Sequence, residues 1–155
     1  MNRFIKFFWV VSLLGFLAAL LFAFAGMPAK VDIALGSSMV DSVFLTRDIF
    51  FYIMVGITLF TNGLLVTVTR VLGLTSPLQY QEGIPQNPSR ITLSNWLGAM
   101  AGILNLFYAI TSLIVSFYNN PGYSNPTHYN YLIYIGLFLI VFWVIGFVWT
   151  VFTRK

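Results

Sequence analysis

The stretch 94-SNWLGAMAGILNLFYAITSLIVS-116 decides how the chain is read. It is long and apolar enough to cross a bilayer core about 30 Å thick, which takes roughly 20 helical residues. Yet it carries two asparagines, three serines, a threonine and a Gly98-x-x-x-Gly102 pair. Placed on a helix, Ser94, Gly98, Gly102, Asn105, Ala109, Ser112 and Ser116 advance by 4, 4, 3, 4, 3 and 4. Steps of three and four stay on one helical face. The small and polar residues therefore form one stripe, and bulky residues such as Trp96, Leu104 and Phe107 occupy the other faces.

Such a stripe has a physical meaning in lipid. Acyl tails are as apolar as leucine, so helices associate there through close packing and interhelical hydrogen bonds. The glycine pair is expected to let a neighbouring backbone approach. Asn105 lies near the middle of its span, where an unpaired amide is costly. Asn62 sits near the centre of another apolar segment, with Thr58 and Thr61 beside it. An Asn62–Asn105 pair is worth about 0.6 kcal/mol on average and rarely above ~1.7, enough to set register but not to hold a bundle.

The rest of the chain agrees with a membrane setting. Of its 155 residues, 59% are hydrophobic and only 8% charged, against roughly 25% charged in a soluble domain. Too few charges are present to cover a water-exposed surface of this size. Spans are expected at about 7–27, 49–69, 91–118 and 131–153, and none contains Asp, Glu, Lys, Arg or His. The first is read as a retained signal-anchor helix, because its apolar run exceeds the roughly 7–15 residues of a signal-peptide core. Asn87-Pro88 is a helix start, with asparagine as cap and proline at the first helical position. The third helix is thus expected to begin near Pro88 and to outreach the bilayer.

The loops divide by charge. The inner loop, 70–90, holds Arg70 and Arg90, on the same side as Arg3, Lys6, Arg154 and Lys155. The outer loops, 28–48 and 119–130, hold Lys30 and Arg47 together with Asp32, Asp41 and Asp48. Lysine and arginine flank the cytoplasmic ends of spans, so both termini are expected in the cytoplasm. In the first outer loop Val31, Ile33 and Leu35 alternate with Lys30, Asp32 and Ala34, a strand-like pattern. Ser38 and Asp41 have capping-box spacing for a helix running on into span two. That loop is either an outward-facing contact surface or an amphipathic connector.

Further small residues mark other faces. Gly15, Ala19 and Ala23 repeat in span one, and Gly56 and Gly63 in span two. Gly136 and Gly146 stand among bulky residues in span four, which is expected to be the most lipid-exposed.

Chemistry is poorly provided for. The absence of cysteine removes disulfides, thiolate metal sites and catalytic thiols. His128 is alone, and metal centres need several donors. No base lies near the serines of span three to activate them. Ion and proton paths usually carry intramembrane charge, and none is present. The net charge of +4 is scattered, so nucleic acid is not an expected partner. Met27-Pro28-Ala29-Lys30-Val31 resembles a segment of a bacterial membrane-domain family that includes toxin-immunity proteins. That family has a further proline and a histidine where Asp32, Ile33 and Ala34 stand here, and no function is carried over.

The reading is an all-α integral membrane protein over residues 1–155, an antiparallel up-down bundle of four transmembrane helices in the bacterial cytoplasmic membrane. It is expected to be non-enzymatic, without catalytic residues, metal or cofactor. Its expected role is as an accessory, assembly or scaffolding subunit of a larger membrane complex. Lipids and other integral subunits are the expected partners, with self-association open. The alternative is an oligomeric conduit for ions or small solutes, or a transporter subunit, lined by the Asn, Ser and Thr of spans two and three. The expected packing seam comprises Ser94, Gly98, Gly102, Asn105, Ala109, Ser112, Ser116, Asn62, Thr58, Gly15, Ala19 and Ala23.

Overall fold

A computed structural model describes residues 3–33, 43–74, 88–122 and 131–153, with side chains over 3–33, 43–71, 92–122 and 131–149. The elements run α1 (Arg3–Gly26), β1 (Lys30–Asp32), β2 (Phe44–Thr46), α2 (Arg47–Leu74), α3 (Pro88–Asn119) and α4 (Tyr131–Thr153). All four helices contain a segment long and apolar enough to cross a membrane. Helices α1, α2 and α3 extend past the apolar spans into flanking polar residues, taking in Arg3 and Lys6, Arg70, and the Pro88 start respectively. Backbone groups that stay helical remain bonded within their own segment, which suits an apolar medium.

Helix α3 is the hub. It packs against α1, α2 and α4, whereas α4 meets no other helix among the described residues. Its partners bring i, i+4-type stripes of their own. Ser12, Phe16, Leu20 and Ala23 are buried on α1, and Phe50, Met54, Thr58 and Asn62 on α2. Phe16, Leu20, Ala23, Met27, Val31, Phe50, Met54, Ala109 and Val115 form one buried cluster.

Large residues meet small ones at these contacts. A Cβ added to Gly102 would stand 2.6 Å from Phe8 Cδ1, so the ring of an α1 phenylalanine lies in the gap that the glycine leaves. The glycine pair was expected to admit a backbone; at Gly102 the visitor is an aromatic ring. Helix α4 attaches in the same manner. Its Gly136 faces the Phe107 ring, 2.7 Å from an added Cβ to Cδ2, and its Gly146 faces Trp96, 2.8 Å to Cη2. Trp96 also meets Trp143 edge-on at 5.7 Å between centroids and Phe147 at 6.2 Å. The Trp143 indole donates to the Trp96 carbonyl at 3.1 Å. Elsewhere α4 is open: Gly136 is the one buried position among its described side chains.

The segment between α1 and α2 departs from an all-helical description. β1 and β2 pair antiparallel, with Lys30 opposite Thr46, Val31 opposite Leu45 and Asp32 opposite Phe44. The alternation at 30–33 thus becomes strand, and Val31 is wholly buried. Ser38 and Asp41 lie outside the described residues. The helix they were expected to open does not run unbroken into span two, because Phe44–Thr46 is strand and α2 begins at Arg47. Thr46 caps it instead, its Oγ1 accepting from the Ile49 amide at 3.3 Å, the side-chain-to-N3 bond of an N-cap. Residues 75–87 and 123–130, His128 among them, also lie outside the described residues.

The ribbon is tied to the helix ends. Asn119 Oδ1 accepts from the Asp32 amide at 2.6 Å, and Asn119 Nδ2 donates to the Asp32 carbonyl at 2.9 Å. An α3 side chain therefore bonds β1 as a neighbouring strand would. Arg47 covers the C-terminal end of α1: its Nη1 donates to the Met27 carbonyl at 3.4 Å, and its guanidinium sits 4.4 Å from the Phe24 ring centre. A cation there complements both the exposed carbonyls of a helix end and an aromatic face.

Candidate functional site

The stripe that opened the sequence analysis is buried along its whole length: Ser94, Gly98, Gly102, Asn105, Ala109, Ser112 and Ser116 are all shielded. At its middle lies a hydrogen-bond network joining three helices. Asn62 Nδ2 donates to Asn105 Oδ1 at 2.7 Å, and Asn105 Nδ2 returns a bond to Asn62 Oδ1 at 3.3 Å. Two amides facing each other satisfy donor and acceptor on both sides.

Helix α1 completes the arrangement. The Trp9 indole N–H donates to Asn62 Oδ1 at 2.6 Å, and Asn105 Nδ2 donates to Ser12 Oγ at 3.3 Å. Ser12 Oγ in turn donates to the Trp9 carbonyl at 2.8 Å. The remaining Asn62 donor capacity goes to the Thr58 carbonyl at 2.8 Å. Asn105 is wholly buried and Asn62 nearly so. At this depth the low dielectric strengthens satisfied bonds and raises the cost of missing ones.

The other polar residues turn to nearby carbonyls. Ser112 Oγ donates to Tyr108 O at 2.8 Å, and Thr61 Oγ1 to Ile57 O at 2.9 Å. Ser116 Oγ reaches across to Ala23 O on α1 at 3.4 Å. Thr58 contributes its carbonyl rather than its hydroxyl, for Thr58 Oγ1 is buried without a partner among the described residues. Replacing Thr58 by Val removes a hydroxyl that makes no bond while keeping the branched shape. Thr58→Val is expected to raise stability by about 1 kcal/mol, the low end of the cost of a buried unpaired polar group. Thermal unfolding in mild detergent measures it; a lowered midpoint would show that the hydroxyl has a partner.

The structure does not bring all the expected seam residues together. Gly15 is exposed, with nothing within 4 Å of an added Cβ, and Ala19 is only partly buried. Gly56 and Gly63 of α2 likewise face open space. Two adjacent stripes of period four fit any helix, and α1 turns the one with Phe16 and Leu20 inward. Those large side chains fill the hollow left by α3's small ones, whereas a small face set on a small face leaves gaps.

Sequence reasoning missed Trp9 and Ser12. Ser12 is the only hydroxyl-bearing residue between Phe7 and Met27, a signal in retrospect that α1 carries a polar contact. Trp9 gave no such signal, because an indole near a span end reads as an interfacial anchor.

Among the described residues, no group of three or more His, Cys, Asp or Glu comes together. The network offers amides, hydroxyls and an indole, all neutral; such groups orient and pack, and none is a general base near neutral pH. Compared with known proteins, the chain matches no family model, no curated protein and no solved structure.

Proposed function

We propose that the chain is a non-enzymatic integral membrane protein acting as an accessory, assembly or scaffolding subunit of a larger membrane complex. In this reading it crosses the bacterial cytoplasmic membrane four times as an up-down bundle with both termini inside. The observation that carries it is the self-contained seam. Asn62, Asn105, Ser12 and Trp9 bond to one another, so their polar groups are committed to contacts between helices. A conduit lined by span two and three polar groups needs those same groups facing open space.

Contacts between helices support the alternating directions. Trp9 reaches Asn62 while Phe24 meets Phe51, as expected of opposed α1 and α2. Ser12 meets Asn105 while Ser116 meets Ala23, as expected of like-directed α1 and α3. Phe107 meets Gly136 while Trp96 meets Phe147, as expected of opposed α3 and α4. Charge supports the orientation: Lys6 and Arg70 line one groove, while Asp32 lies in the ribbon at the far end and Asp48 in the first turn of α2 beside it. Arg47, an exception to the charge rule, is held at the α1 end by Met27 and Phe24. With the seam filled by α1 and α2, the surfaces left for a partner subunit are the outward faces of α1, α2 and α4, and that of α4 is the most open.

Extraction in mild detergent followed by native mass spectrometry tests the role. A co-purifying membrane subunit is expected, and its loss on placing charge on α4 at Phe142→Lys, an exposed position. A monomer free of partners, or ion flux in liposomes that changes with Asn105→Leu, would overturn it in favour of the conduit. The cysteine-free chain allows Lys30→Cys and Arg154→Cys to be labelled from either side of the membrane. The two are expected to react from opposite sides; equal labelling of both from one side would overturn the orientation.

A further inference from the structure

A groove of about 490 Å³ opens between α1, α2 and α3 at the end of the bundle bearing Lys6 and Arg70. Its volume falls within the roughly 300–1,000 Å³ of sites that hold small ligands. The lining changes character with depth. Lys6 and Arg70, both exposed, are cationic, while Val10, Leu65, Val66 and Ala101 form apolar walls. Neither cation is paired with an acid among the described residues, and the described acids, Asp32 and Asp48, lie in the ribbon and in the first turn of α2. Inside the groove Ser94 is 8% exposed. Its hydroxyl is the small polar group among these lining residues of α3, beside Leu97, Gly98 and Ala101.

We propose that this groove binds one anionic phospholipid from the leaflet on the Lys6–Arg70 side. The phosphate lies against Lys6 and Arg70, a glycerol-ester oxygen accepts from Ser94 Oγ, and one acyl chain runs along Val10, Val66 and Ala101. Two unpaired cations favour an anionic headgroup over a zwitterionic one. The apolar walls demand a chain, which a free phosphate lacks. Ser94 Oγ, a hydroxyl in the α3 wall of the groove, can donate to an ester oxygen at that depth. Basic recesses between helices at the positive side of a membrane are suited to such headgroups. Bound there, the lipid joins the three helices that the Asn62–Asn105 network joins at mid-span.

The test uses the full chain in mild detergent, delipidated and then titrated with phosphatidylglycerol or phosphatidylcholine of identical chains, with bound lipid read by native mass spectrometry. One phosphatidylglycerol is expected to bind about 30-fold more tightly, the combined effect of two cations beside an anionic headgroup. Lys6→Gln with Arg70→Gln is expected to abolish that preference without moving the unfolding midpoint, since both side chains are exposed. Val10→Phe, which narrows the groove at an exposed position, is expected to weaken both lipids. Equal affinity for the two lipids, or a preference that survives the double substitution, overturns the inference. Competition by glycerol 3-phosphate as strong as that of the lipid would assign the site to free phosphate instead and overturn it likewise. The inference rests on the membrane reading, yet the two fail separately. The cysteine-labelling experiment tests insertion, whereas a lost headgroup preference in an inserted protein overturns only the groove.

Discussion

Asn62→Leu is expected to destabilise the bundle by about 4 kcal/mol, more than Asn105→Leu at about 2 kcal/mol. The difference follows from what each substitution leaves behind. Removing Asn105 breaks its two bonds with Asn62 and one with Ser12. The partners keep other bonds: Asn62 retains Trp9 and the Thr58 carbonyl, and Ser12 retains the Trp9 carbonyl. The cost is thus three interhelical bonds at about 0.6 kcal/mol each. Removing Asn62 also breaks three interhelical bonds, but it strands the Trp9 indole N–H and the Asn105 carbonyl oxygen. A buried stranded group costs about 1–3 kcal/mol, and Trp9 is only partly buried, so the low end applies. Unfolding by sodium dodecyl sulfate in mixed micelles, followed by fluorescence of the four tryptophans, measures both. The double variant is expected to be no worse than Asn62→Leu alone, a coupling that a double-mutant cycle resolves. Equal losses for the two single variants would remove Trp9 from the network.

Gly102→Leu is expected to cost about 3 kcal/mol, the upper part of the range for overpacking a filled interior. The Phe8 ring occupies the space a Cβ would take, and the α1–α3 contact is the most extensive helix pairing in the bundle. Gly102→Leu with Phe8→Ala is expected to recover at least half of the loss, because removing the ring reopens the hollow. Gly15→Leu supplies the contrast: its surroundings are open, and a change within ±0.5 kcal/mol is expected. The same micelle unfolding reads all three. If Gly15→Leu proves as damaging as Gly102→Leu, the face of α1 that packs has been misassigned.

These expectations separate what is written locally from what is not. Four apolar segments, the Pro88 helix start and the period of the Ser94–Ser116 stripe depend on residue type and spacing alone. The pairing of Asn62 with Asn105 was legible too, because two neutral amides at mid-span have few other partners in an apolar medium. The strand at Lys30–Asp32 showed in its alternation. Its mate at Phe44–Thr46 did not, since Phe-Leu-Thr before an apolar run reads equally well as the helix it precedes.

Which faces meet was decided by the tertiary structure. Gly15, Ala19 and Ala23 have the same spacing as Ser12, Phe16 and Leu20, and periodicity cannot choose between stripes that are one residue apart. The choice came from volume: α3 presents glycine, alanine and serine, so α1 fills the hollow with Phe8, Phe16 and Leu20, and α4 offers glycines where Trp96 and Phe107 protrude. The roles of Trp9 and Ser12 came from geometry, because an indole becomes an amide donor only where helix packing brings it to an acceptor. By itself the chain determined four helices long and apolar enough to cross a membrane, whose few polar residues need partners. The packing of α1 and α2 onto α3 decided which groups satisfy them, because a hydrogen bond depends on position and direction as well as on residue type.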